Sequence, residues 1–287
     1  MLDGFTRTRV TTRGAEIAVA HAGSGPPLLL LHGYPQTHAM WHRVAPALAE
    51  THTVVCPDLR GYGASSKPPG GDDHAGYAKR TLAQDQVEVM TALGFERFAL
   101  VGHDRGGRVS HRLALDHPER VERLALLDIV PTHTVFANVD QAVATGTYHW
   151  FFLIQPAPLP ERLIGNDPEF FLRWHLRSWS AGRDDFFDPE AVAAYVEAFR
   201  DPATIHATCE DYRAGASIDL AHDEADLDRR IACPLLVLWG ARGKPQDLAA
   251  IWRDKATQVE GQALDCGHFL AEERPDEVVA ALRRFLA

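Results

Sequence analysis

Asp104 stands in the run Gly102-His103-Asp104-Arg105-Gly106, behind an apolar stretch at 97–101 and ahead of a helical pattern. A carboxylate on such a turn is ionised at neutral pH and needs no base to become a nucleophile. It is suited to backside displacement at a saturated carbon, which leaves an alkyl ester on the protein. Alkyl halides and epoxides are the substrates that such chemistry serves. His268, in Asp265-Cys266-Gly267-His268-Phe269, is the expected base for the water that cleaves the ester. Asp128 ends the apolar run 124–127 and is the expected acid that orients His268, in preference to Asp247 further along. The backbone N–H groups of Tyr34 and Arg105 are the expected oxyanion donors. Arg105 and Arg108 lie three apart and share a helix face beside the nucleophile. A guanidinium buried there calls for an anion, and a substrate carboxylate fits it. The competing reading has both arginines solvated or paired with acids such as Asp58, and Arg112 suggests that this helix also carries surface charge.

Those residues need a scaffold that brings them together. The sequence predicts a hairpin from 8–12 and 16–22, then strands at 27–31, 53–55, 97–101, 121–127, 234–239 and 258–264. Several are continuous apolar runs, as strands buried on both faces require. Helical patterns at 40–49, 81–93, 107–115, 248–255 and 275–285 alternate with them. This is an α/β class, with a mostly parallel eight-stranded sheet and a site at the strands' carboxyl ends. The alternation breaks between 131 and 228, a segment rich in aromatic residues, His and Pro. It is expected to be a helical cap inserted between core segments 1–130 and 229–287.

Composition excludes other classes. The chain has 287 residues, a formal net charge of -10 and no basic tract, which disfavours nucleic-acid binding. No apolar segment is long enough to span a bilayer. Cys56, Cys209, Cys233 and Cys266 are scattered without metal-ligand spacing, so reduced thiols, a cytoplasmic location and no metal are expected.

The turn around Asp104 resembles the G-x-S-x-G nucleophile turn of α/β-hydrolases, with aspartate in place of serine, and the chain order nucleophile, acid, histidine is theirs. The likeness extends to His32-Gly33-Tyr34-Pro35-Gln36-Thr37-His38 and Asp58-Leu59-Arg60-Gly61-Tyr62-Gly63. Gly102 to Arg108, Tyr148-His149-Trp150, 155–160 and 209–215 narrow it to the fluoroacetate (haloacetate) dehalogenases. That resemblance implies the Asp104–His268–Asp128 triad and a substrate carboxylate on Arg105 and Arg108. It also implies a halide pocket of His149, Trp150 and Tyr212, no cofactor, and a homodimer. It implies hydrolysis of a short 2-haloacid, as fluoroacetate or chloroacetate to glycolate plus halide. The segment 241–245 departs from the family pattern and is expected to lie outside the pocket. Epoxide hydrolysis is the alternative, with Tyr212 and either Tyr148 or Tyr195 protonating the epoxide oxygen. A non-catalytic binding protein with the same pocket is a third reading, against which the base His268 argues.

Overall fold

The computed structural model describes residues 1–242 and 247–287. Its sheet contains β1 (Thr6–Thr11), β2 (Glu16–Ala22), β3 (Pro27–Leu31), β4 (Thr53–Pro57), β5 (Phe98–His103), β6 (Val121–Leu127), β7 (Leu235–Gly240) and β8 (Val259–Leu264). The spatial order is β1-β2-β4-β3-β5-β6-β7-β8. β1 pairs antiparallel with β2, and β2 antiparallel with β4. Every later pairing is parallel. Leu28, Leu29, Leu30 and Leu31 are completely buried, as are Val237 and Leu238, because helices cover both faces of the sheet.

The helices follow their sequence signals closely. The last one, Pro275–Leu286, buries Val278, Ala281, Leu282 and Phe285, a spacing that keeps one stripe against the sheet. Pro275 fits its first turn, Asp276 and Glu277 sit at its positive end, and Arg283 and Arg284 at its negative end. The helix expected at 40–49 is instead a 3-10 turn, His38–Trp41, followed by a short helix, Ala45–Ala49. Pro46 lacks an N–H and is tolerated only near a helix start, so the helix must begin again there. Between β6 and β7 the chain runs through eight helices, from Thr132–Ala137 to Ile218–Ala225. Among the described residues no helix is long and apolar enough to cross a membrane.

The parallel strands aim their carboxyl ends the same way, so the segments after β3, β5, β6 and β8 converge. Helix Asp104–Asp116 starts directly after β5, three residues earlier than its periodicity suggests. That tight start brings Gly106 against the end of β3. A side-chain carbon at Gly106 would collide with the backbone oxygens of His32 and Leu31. Backbone cannot yield as a flexible side chain can. Gly106→Ala is therefore expected to lower the free energy of unfolding by about 1–3 kcal/mol, measured by urea denaturation. An unchanged midpoint would contradict this account of the turn.

Candidate active site

Asp104 caps the carboxyl end of β5 in a left-handed conformation, φ 47°. Such a backbone costs a non-glycine residue about 1–3 kcal/mol. Asp128 (φ 53°) and Ala181 (φ 54°) share it, and all three line one cavity of about 300 Å3. The walls also include Arg108, His149, Trp150, Trp179, Arg242 and His268. Gly33 makes room for the nucleophile candidate, since a side-chain carbon there would overlap Asp104 Cβ. Asp104 does not cap its own helix. Its Oδ1 accepts a hydrogen bond from the Tyr34 N–H at 2.8 Å. The Arg105 N–H lies in the first turn of the helix, where backbone donors lack intrahelical partners.

His268 Nδ1 donates to Asp128 Oδ2 at 2.6 Å, while Nε2 faces Asp104 Oδ2 at 3.8 Å. The first contact is a charge-assisted hydrogen bond; the second is too long to be one. Asp128 is braced in turn, because Oδ1 accepts from the Gly240 N–H at 3.1 Å. The end of β7 thus contributes a backbone donor where an acid could have stood. Asp247 is no rival, for it accepts from Ala250 N at the start of helix Leu248–Arg253. Burial favours a neutral Asp104, but His268, His103, Arg105 and Arg108 outweigh it and hold the carboxyl below its usual range. Burial also lowers His103, down to about 3, so its ring is neutral beside His268.

Helix Asp104–Asp116 carries three arginines, and all three are buried. Arg112 is no surface charge, since it pairs with Asp223 at 2.7 Å and Asp226 at 2.5 Å. Arg105 donates from Nε to Asp211 Oδ2 at 2.7 Å and from Nη2 to the Asp211 carbonyl at 2.6 Å. Asp211 also meets Lys79 and accepts from the Tyr62 hydroxyl at 2.9 Å. Arg108 differs from its neighbours. Among the described residues it has no carboxylate within ion-pair distance. It donates only to the Val130 carbonyl (2.7 Å) and Thr132 Oγ1 (3.1 Å), and Nε is buried without a partner. Its guanidinium lies 4.4 Å from the Trp150 ring centre. Burial, and then Arg105, push its pKa down to about 10. Asp58 neutralises neither Arg105 nor Arg108, because His38 and the Ala64 N–H occupy it.

His149, Trp150 and Tyr212 meet above this face. Ring centres lie 5.8 Å apart for His149 and Tyr212, and 6.2 Å for Trp150 and Tyr212. The His149 Nδ1 and the Tyr212 hydroxyl are buried with no partner. Burial, and then His175, keep the His149 ring neutral, while burial, and then Asp104, keep the Tyr212 phenol protonated. Each can therefore present an uncharged donor.

Several residues escaped the sequence reading. Trp179 walls the cavity, and its carbonyl accepts from the His268 N–H at 2.9 Å. The Tyr34 hydroxyl is buried without a partner, with its ring 5.3 Å from Tyr212. Asp211 had one signal, an acidic Glu210-Asp211 step directly before Tyr212. One expectation is corrected. Arg242 lines the cavity, bringing an exposed ion pair with Asp265 to its rim. Gly243, Lys244 and Pro245 of the same segment lie outside the described residues.

Comparison with known proteins agrees with this geometry. A family model described as alpha/beta hydrolase fold matches residues 26–275. A fluoroacetate dehalogenase from Burkholderia sp is 50% identical over 290 residues, covering 100% of this chain and 95% of that one. A soluble epoxide hydrolase from Corynebacterium sp. (strain C12) is 35% identical, covering 99% and 98%. A crystal structure from Nostoc sp PCC 7120, assigned to the alpha/beta hydrolases, superposes with a TM-score of 0.97 at 57% identity, covering 100% and 99%. On the fold, the strand-end site and these full-length matches, the chain belongs to the alpha/beta hydrolase fold family, among its fluoroacetate dehalogenase-like members.

Proposed function

We propose that this protein hydrolyses the carbon–halogen bond of short 2-haloacids. The observation that carries the reading is Arg108, the one arginine of its helix that is buried at the cavity wall without a carboxylate. A substrate carboxylate supplies the missing partner bidentately. Arg105 adds positive potential beside it, with Nη1 left over from its bonds to Asp211.

In the proposed sequence Tyr34 N–H retains Asp104 Oδ1, so Oδ2 is the attacking oxygen. Oδ2 bonds to the substrate's α-carbon and the halide leaves with the carbon–halogen electron pair. His149, Trp150 and Tyr212 donate to the departing halide as charge develops. His268 Nε2 then takes a proton from water, whose oxygen adds to Cγ of the ester. The Tyr34 and Arg105 N–H groups hold the oxyanion on Oδ1. Collapse breaks the Cγ–Oδ2 bond and returns the proton to the departing glycolate. Collapse leaves Asp104 as the acid, which ionises and releases the water's second proton, so haloacetate and water become glycolate, halide and a proton.

Epoxide hydrolysis is the second reading, and the epoxide hydrolase relative supports it. The expected tyrosine pair argues against it. Tyr148 is half exposed and bonds to His175, while Tyr195 is bound to Glu272. Neither is available beside Tyr212, and a neutral epoxide leaves Arg108 unsatisfied.

We further propose that residues 131–228 act as a cap on a core formed by 1–130 and 229–287. The four free cysteines support a cytoplasmic location, and water and the haloacid are the only partners the reaction needs, with no cofactor. Leu159, Leu163, Phe170 and Trp174, each half exposed or more, form an apolar face that supports a homodimer.

Three measurements test these readings. His268→Ala is expected to trap an ester on Asp104, visible by intact mass after incubation with chloroacetate; normal turnover without an adduct would overturn the mechanism. Arg108→Gln should lower kcat/KM for fluoroacetate and chloroacetate by about a hundredfold, in keeping with roughly 2–5 kcal/mol for a buried charge left unpaired. Turnover of styrene oxide alongside intact haloacid turnover in that variant would favour the epoxide reading. Trp174→Arg should convert a dimer to a monomer in sedimentation, and a dimer that survives would place the interface elsewhere.

A further inference from the structure

Glu272 lies four residues beyond His268, in the short helix Leu270–Glu273, and is completely buried. Its side chain joins three distant segments. Oε1 accepts from the Tyr195 hydroxyl at 2.5 Å and from Gln36 Nε2 at 2.8 Å. Tyr195 comes from helix Pro189–Phe199 in the inserted segment. Gln36 is two residues past Tyr34, whose N–H holds Asp104.

The other oxygen has a different situation. Glu272 Oε2 and Gln36 Oε1 are both buried with no partner. Two acceptors cannot satisfy one another, and buried polar atoms are rarely left unsatisfied. A proton on Glu272 Oε2 resolves both at once. Protonated there, the acid would donate to Gln36 Oε1 while the amide donates back to Glu272 Oε1 at 2.8 Å, a cyclic acid–amide pair.

The surrounding charges agree. Arg43 Nη1 donates to the Glu272 backbone carbonyl at 3.3 Å rather than to the carboxyl. Asp188, at the start of helix Pro189–Phe199, opposes a negative charge there. Burial pushes the Glu272 carboxyl up to about 8, against the opposing pull of Tyr195, Arg43 and Gln36. Neighbouring Glu273 is engaged separately, by the N–H groups of Gly267 and Phe269.

We propose that Glu272 is a positioning residue that works as a neutral acid: its proton ties Gln36 of the oxyanion loop to the histidine loop, and its ionisation breaks that tie. A carboxyl that resists ionisation in the folded chain but not in the unfolded one stabilises the fold fully below its unfolded range. That contribution is lost progressively as pH rises from the unfolded range to the folded value of about 8.

The test follows thermal stability and kcat/KM for chloroacetate from pH 6 to 10 in wild type, Glu272→Gln, Glu272→Ala and Tyr195→Phe. In wild type thermal stability should fall from pH 6 and level off above about pH 8, while kcat/KM should fall between about pH 7 and 9. Glu272→Gln, uncharged throughout, should keep most of its activity near neutrality and lose that fall. Tyr195→Phe removes a donor that favours the ionised form, so the fall should move to higher pH. Glu272→Ala should lower kcat about tenfold at neutral pH. The proposal is overturned if Glu272→Gln shows the wild-type pH dependence, or is as impaired near neutrality as Glu272→Ala. The stability measurement does not depend on the haloacid reading, so a protein that released no halide would still answer the question.

Discussion

A carboxylate at the tip of a left-handed turn, with a helix starting on the same residue, is the constraint that organises this molecule. Asp104 can occupy that position because Gly33 and Gly106 leave space that side chains would fill. The Tyr34 N–H then fixes one carboxylate oxygen, and the first turn of the helix supplies positive potential around it. Strain, glycine placement and sheet order are mutually dependent here. Moving the turn by one residue would put Asp104 out of line with the ends of β3 and β6.

The second requirement is to bury positive charge close to this turn without cancelling it. The helix does so by giving Arg105 and Arg112 carboxylates of their own and giving Arg108 neutral acceptors and an aromatic face. Asp211 is central to the division, since Lys79 and Tyr62 share it and keep it fully occupied. Its carboxyl stays far below the usual range because burial, which would raise it, is outweighed by Arg105 and Lys79. The effect, among the described residues, is that Arg108 lines the cavity without a carboxylate partner while Arg242 lines it paired with Asp265, in a protein whose overall charge is -10.

The parts that could be read in the sequence were those coded locally. The glycines around Asp104, the apolar run before Asp128 and the loop around His268 each carry their signal within a few residues. The eight strands were legible for the same reason, because buried parallel strands are continuous apolar runs. What escaped depends on contacts between distant segments. Asp211 reaches Arg105 across 106 positions, and Glu272 reaches Gln36 across 236. No periodicity announces such a partner. Arg112 misled because an arginine three or four residues from another looks solvated until Asp223 and Asp226 from a distant segment join Asp116 of its own helix around it. The helix at 40–49 misled because its apolar spacing outweighed the effect of Pro46.

The bond from the His268 N–H to the Trp179 carbonyl has a consequence for the wall of the site. Trp179 ends a helix of the inserted segment, so the residues roofing the cavity are fastened to the same loop that carries the imidazole. Drawing Trp179 away from the cavity would break that bond, at a net cost of about 1 kcal/mol, and would leave the backbone next to the imidazole without its acceptor. The wall of the cavity and the orientation of the base therefore share one tether.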